Sequence, residues 1–407
     1  MKADNAITIN MYGAFDRFNY GDLLFPIVIQ KALDERLGEQ HYAYYGLIDS
    51  DLTRFGGVPT TAIRRRLRAV PPANQKDVFI IAGGEILSTS MYYIHQCLIN
   101  NDLARKVFSR LRDMFGGDFS NTLSRHLLAR ELVFPFIIDK SLLPGVSCII
   151  YNTVGGLLSE EDPTLMHQYL RQADYISVRD MSTLERLKDV IPDIKPFLFP
   201  DSATLMSKYF PINILWGMIN PETEGILNAC LNGYICFQIS ASSYNVAPDV
   251  VQKQLTELAK TTGLPVLLLP IGRAPWHHDQ KVLRAIQLDA RYSCFMPSEN
   301  TIYDIMVLIA HARLFIGTSL HGIITSMCYS VPYVAINPHI IKVKRYLETW
   351  CHSEFNMPIE YSSITETAVK VLDMNIDKLD REHRRMIEKV ELNFDAIAQC
   401  IQKIKTK

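Results

Sequence analysis

Short apolar runs rich in β-branched and aromatic residues alternate along the chain with stretches whose apolar positions recur every three or four residues. The alternation is sharpest in the second half. Residues 233–240 (GYICFQIS) are almost continuously apolar and predict a buried strand, and 248–262 predict an amphipathic helix. The series continues as strand (264–272), helix (278–288), short strand (293–296), helix (301–312), strand (312–317), helix (321–329) and strand (331–337). Apolar strands with no polar face, each followed by a helix, imply a parallel sheet covered on both sides. That pattern defines a doubly wound, Rossmann-like unit.

The first half repeats the theme less regularly. Strands are predicted at 7–13, 40–46, 77–84, 146–152 and 173–180, with a helix over 22–37. Residues 88–143 interrupt them with helical, aromatic-containing sequence that reads as an insertion. Three prolines and a return to polar residues place a domain boundary near 206–213. The expected layout is a Rossmann-like unit over 1–208, a second over 209–375 and a terminal helix over 376–407. In that helix Ile387, Val390, Phe394, Ile397, Ile401 and Ile404 form one apolar stripe. The stripe is too short for a durable coiled coil and predicts docking on the body.

Charge and cysteine content narrow the function. Of 407 residues, 42 are Lys or Arg and 43 Asp or Glu, so there is no electrostatic case for nucleic acid as partner. The eight cysteines show no C-x-x-C spacing and no zinc-type cluster with histidine. Single thiols suit a reducing compartment. With no long apolar segment at the start and no membrane-length run, the expectation is a cytoplasmic protein without a metal site.

Chemistry-bearing residues collect where strands end. Gly317, Thr318, Ser319, His321 and Gly322 lie where a buried strand turns into a helix. Ligands of open α/β sheets bind at the carboxyl ends of strands, and a helix start favours phosphate or carboxylate. His321 can serve there as acid, base or hydrogen-bond donor; simple capping by Thr318 or Ser319 is the structural alternative. Asn19, Gly21 and Asp22 occupy the turn after the first strand, where Asp22 is either a helix cap or a substrate group. Gly83-Gly84-Glu85 follows another strand, and Arg179-Asp180 a third. Arg179 reads either as a bidentate anion clamp or as a surface partner of Asp180. Arg273, His277, His278 and Asp279 suggest a ligand loop, although adjacent histidines do not share one metal. Arg64, Arg65, Arg66 and Arg68 read as a solvated helix face, with contact to an anionic membrane surface as the alternative.

Taken in order, N-x-G-D at 19–22, the glycine pair 83–84, S-x-R-D at 177–180, Pro200-Asp201 and T-S-L-H-G at 318–322 resemble the polysaccharide pyruvyltransferase family. The resemblance covers most of the chain. It implies a glycosyltransferase-B-like fold with a cleft between two Rossmann-like halves, acceptor on the N-terminal side and donor on the C-terminal side. It implies transfer of pyruvate from phosphoenolpyruvate to sugar hydroxyls of a surface polysaccharide or a lipid-linked oligosaccharide, as a ketal, with no organic or metal cofactor. By the same resemblance His321 and Asp22 are the catalytic candidates. Arg179, Arg273, Gly317, Thr318, Ser319, Gly322, Asn19, Gly21 and Glu85 are the binding candidates. Many members carry arginine two residues before the histidine, where this chain has Ser319; Arg273 is the expected substitute. A nucleotide-sugar glycosyltransferase of the same fold and a non-catalytic glycan-binding protein are the alternative readings.

Overall fold

A computed structural model describes residues 7–69, 76–158, 162–241, 246–275, 278–351 and 355–405. Eight strands form the first sheet: β1 (Thr8–Tyr12), β2 (His41–Gly46), β3 (Ser50–Asp51), β4 (Pro59–Ala62), β5 (Asp77–Ile81), β6 (Val146–Val154), β7 (Tyr175–Val178) and β8 (Phe197–Leu198). Their spatial order is β3-β4-β2-β1-β5-β6-β7-β8. Five form the second: β9 (Ile235–Gln238), β10 (Val266–Leu268), β11 (Cys294–Phe295), β12 (Leu314–Gly317) and β13 (Tyr333–Ala335), in the order β11-β10-β9-β12-β13. Every pairing is parallel except β3 with β4. In each sheet the first strand is central and the chain winds outward to both sides. Winding therefore reverses between β1 and β5 and again between β9 and β12, and such reversals open ligand crevices at the carboxyl ends.

The strands are apolar because both faces are covered. All residues of β5, β7, β9, β10, β12 and β13 are buried. The larger core runs continuously from the helix Tyr20–Leu37 through the helix Leu320–Cys328 into the second sheet; a smaller one covers the other face of the first sheet. The two halves also bond directly. Asn19 bridges Gly272, and Phe18 O accepts from the amides of Arg273 and Ala274.

Two features depart from the sequence expectation. The edge pieces β3, β4 and β8 are short and lack an apolar run, and β4 opens with a proline tolerated only at such edges. The insertion has three helices, Met91–Leu98, Asp102–Phe115 and Gly117–Leu128, but its remainder is irregular chain burying Leu132, Phe134, Phe136 and Ile138. The terminal helix Asp377–Lys405 docks on the body as expected. It packs against β6, β7 and Tyr20–Leu37, so the chain ends on the half where it began. Buried Asn393 fixes it there, donating to Asn152 Oδ1 and accepting from Tyr175 Oη, each at 2.8 Å. No described helix is long and apolar enough to cross a membrane.

Candidate active site

The carboxyl ends of both sheets face one another across a cleft of about 960 Å³. Arg17, Asn19 and Asp22 follow β1, Glu85 follows β5 and Arg179 follows β7. Opposite them, Gln238 ends β9, and Ser319 and His321 follow β12. Asp279, beyond β10, and Lys342, beyond β13, complete that side.

Arg179 forms the cleft floor and is 2% exposed. Its Nη1 donates to Asp201 Oδ2 at 3.0 Å and its Nη2 to Glu85 Oε2 at 2.8 Å. Arg345 Nη2 donates to the other Glu85 oxygen at 2.9 Å, so Glu85 ties the halves together. Burial would raise the Glu85 pKa, but the Arg179, Arg345 and Lys342 charges outweigh it and hold the carboxyl below its usual range. The guanidinium fork is thus engaged by protein carboxylates rather than open to a ligand. Nor does it pair with Asp180, which caps the helix Met181–Val190 through the Thr183 amide.

Asp201, from the Pro-Asp element, is fully buried between Arg179 and His321. Desolvation pushes its pKa up, but the nearby His321 ring, the charge of the Arg179 guanidinium and a hydrogen bond from the Ala203 amide pull it below the ordinary value. His321 Nε2 stands 3.6 Å from Asp201 Oδ2, beyond hydrogen-bond range, and this buried nitrogen has no hydrogen-bond partner among the described residues. The Phe25 ring meets the imidazole edge-on at 5.4 Å. A Cβ at Gly21 would stand 1.8 Å from His321 Nδ1. Gly21 therefore lets the first helix approach the ring, and it does not line the cleft. Asp22 does; Asn19 Nδ2 donates to its Oδ2 at 2.8 Å. Asn19, not Asp22, holds the cap position of that helix.

The turn after β12 is held from beneath. Gln238 Oε1 accepts from the amides of Thr318 (3.1 Å) and Ser319 (2.9 Å), while its Nε2 donates to Asp279 Oδ2 at 2.9 Å. The same oxygen of Asp279 takes the Ile271 and Gly272 amides. Desolvation dominates this buried carboxyl and raises its pKa to about 7, against the opposing hydrogen bonds. Gly317 and Gly322 do not reach the cleft. Side chains there would meet Phe315 Cζ at 2.7 and 2.5 Å, so both glycines exist for helix–strand packing. Among the described residues no three His, Cys, Asp or Glu side chains are placed to hold a metal ion.

A sequence profile described as polysaccharide pyruvyl transferase matches residues 19–340. The chain belongs to that family. No curated protein sequence matches. Among solved structures, UDP-N-acetylglucosamine 2-epimerase from Rickettsia bellii aligns with a TM-score of 0.51 and 10% identity, over 98% of this chain and 96% of its own. UDP-GlcNAc 2-epimerase from Neisseria meningitidis gives 0.47 at 11% identity (98% and 99% covered), and the wall teichoic acid polymerase TagF 0.43 at 12% (100% and 91%). The first likeness, with the strand order above, establishes a two-domain glycosyltransferase-B-like fold; at such identities it speaks of fold alone.

In this pyruvyl transferase family member, Ser319 caps the helix Leu320–Cys328 by accepting from the Gly322 amide at 3.2 Å. Arg273 is not its substitute. Its guanidinium lies against the Phe18 and Phe55 rings at 5.2 and 5.7 Å, faces Glu299 at 3.5 Å and stays out of the cleft. Besides Arg179, the cations lining the cleft are Arg17, paired with Asp16 at 2.8 Å, and Lys342. Lys342 has no ion-pair or hydrogen-bond partner among the described residues. Its side chain is exposed to solvent in the cleft. The sequence reading stopped at the last strand and missed Lys342, although the first turn of the next helix (Ile341–Trp350) lies just beyond that strand's carboxyl end. Asp279 had been noticed only as part of a loop, and Gln238 gave no signal inside its apolar run. His277 lies outside the described residues. Of the arginines at 64–68, Arg66 is buried against Asp77, while Arg64 is exposed and the exposed Arg65 and Arg68 pair with Asp49 and Glu131.

Proposed function

We propose that this protein transfers pyruvate from phosphoenolpyruvate to two hydroxyls of a sugar in a polysaccharide or its lipid-linked precursor. The observation that carries the reading is that unpartnered Lys342 and a His321 Nε2 without a hydrogen bond line one cleft in which Arg179 and Glu85 are already paired. Phosphoenolpyruvate brings a phosphate and a carboxylate, and Lys342 and Arg17 supply the positive charge for them. Protonation of the donor's methylene carbon leaves positive character on the central carbon. An acceptor hydroxyl adds there and gives up its proton, the carbon–oxygen bond to phosphate breaks, and inorganic phosphate departs. A second hydroxyl closes the ketal. His321, with Asp201 behind it, is assigned the proton transfers, worth ~100- to 10,000-fold in rate. Asp22 holds the acceptor hydroxyl.

The acceptor would enter along the groove that continues the cleft past Ser88, Tyr92, Tyr93, Gln96 and Arg112, whose rings, hydroxyls and amide suit a pyranose. The test incubates the enzyme with phosphoenolpyruvate and a panel of oligosaccharides, following phosphate release and acceptor mass. The expected result is one phosphate released for each acceptor that gains a pyruvate less the elements of water. Release of nucleotide from a nucleotide sugar, with phosphoenolpyruvate inert, would overturn the assignment.

A further inference from the structure

We infer that Asp279 is the acid that protonates the donor's methylene carbon, while His321 takes the proton of the attacking hydroxyl. The inference rests on the proposed function and divides its proton transfers between two groups. Those transfers run in opposite directions, because the carbon gains a proton as the hydroxyl loses one. An acid that starts with its proton and a base that starts without one meet both needs in a single pass.

Asp279 is 1% exposed yet lines the cleft, on the same side as Ser319, His321 and Lys342. Its two oxygens are unlike. Oδ2 accepts from Gln238 Nε2 at 2.9 Å and from the amides of Ile271 and Gly272 at 3.1 and 2.9 Å. Oδ1 is buried and has no hydrogen-bond partner among the described residues. An oxygen that already accepts three N–H bonds has no room for a proton, so the acid hydrogen belongs on Oδ1, where the fold offers nothing to receive it. A ligand in the cleft supplies the missing acceptor.

The surroundings keep this proton in place. Desolvation, against hydrogen bonds from Gly272, Gln238, Ile271 and Ser240, raises the pKa to about 7, and a bound donor anion raises it further. Glu85 and Asp201, beside Arg179, are instead held below the ordinary carboxyl range. Of the other titratable groups near Asp279, Lys342 and His321 share the cleft; Lys281 is exposed on its own short helix, and Arg273 and His278 do not line the cleft. Gln238 fixes acid against base, because its Oε1 takes the amides of Thr318 and Ser319 just before His321. In the reaction the Oδ1–H bond breaks, and the double-bond pair of phosphoenolpyruvate forms the new C–H bond. The acceptor oxygen bonds to the central carbon and gives its proton to His321 Nε2. The bond from that carbon to the phosphate oxygen breaks, and phosphate leaves with the electron pair and the proton from His321. The second hydroxyl closes the ketal, and its proton restores Asp279.

Asp279→Asn is the direct test. Its carbonyl oxygen keeps the three donors, and its amide stands where the acid hydrogen was, without a proton to transfer. The variant should fold and bind phosphoenolpyruvate as the parent does, since the amide and the protonated acid are both neutral. Its kcat with phosphoenolpyruvate and an oligosaccharide acceptor should fall about 100-fold or more. In the parent, kcat should decline as the pH rises above about 7 and Asp279 loses its proton, a limb missing from the residual rate of the variant. This profile needs no variant, so it decides the matter even where Asp279→Asn folds poorly. Turnover by Asp279→Asn near the parent's, or a parent kcat with no alkaline decline, would overturn the inference alone. A parent that releases no phosphate from phosphoenolpyruvate would overturn the proposed function, and the acid role with it.

Discussion

His321 is set by what it lacks. Its Nε2 sits too far from Asp201 for a hydrogen bond, and no other described group completes it. A buried nitrogen left this way costs free energy, and a ligand could repay it. The opposite side of the ring is fixed by an absent side chain, since only glycine at position 21 leaves room for Nδ1. Gly21→Ala should therefore push the imidazole out of line and lower kcat about 100-fold, as ångström-scale misplacement does. Combined with His321→Ala, the same change should become neutral or stabilising by up to about 1 kcal/mol, because alanine suits a helix better than glycine. Kinetics and denaturant unfolding of both single variants and the double check this. A full-rate Gly21→Ala enzyme would contradict the packing role. Arg179 is the converse lesson: its position at a strand end was legible, but the sequence could not show that Glu85 and Asp201 occupy its fork.

Three strand ends meet at Asp279: its carboxylate holds the amides beyond β10 and, through Gln238 on β9, the turn after β12. Its pKa of about 7 lies above the ordinary 3.8, so the folded protein retains this proton at pH values where the unfolded chain has lost it. The stabilisation is fully present below about pH 4 and is lost as the pH rises through about 7. Across that window stability should fall by an amount on the order of a few kcal/mol, and Asp279→Asn should remove this part of the slope. Urea unfolding of parent and variant from pH 4 to 8 would show it; parallel curves would mean the carboxyl ionises freely. Such cross-strand ties were invisible in sequence because Gln238 reads as part of an apolar strand. Elements whose apolar pattern matched their burial, such as β5, β9, β12 and the terminal helix, were legible. The edge pairs β3–β4 and β8 were not, because a two- to four-residue edge strand needs no apolar run.

Across the whole molecule, two doubly wound sheets share one core and meet at their strand ends, so anything bound between them touches both halves. The order of short motifs disclosed this plan because each marks a strand end. The cationic complement was harder to read, since Lys342 comes from a helix start with no motif of its own. Titration calorimetry of phosphoenolpyruvate into the parent protein and into Lys342→Ala, with UDP-GlcNAc as the comparison ligand, tests donor binding at Lys342 most directly. The parent should bind phosphoenolpyruvate, and loss of the charge should weaken binding about 10- to 100-fold, as expected for a charge-assisted contact of roughly 1.5–3 kcal/mol. Binding of UDP-GlcNAc in place of phosphoenolpyruvate, or equal affinity in Lys342→Ala, would contradict this.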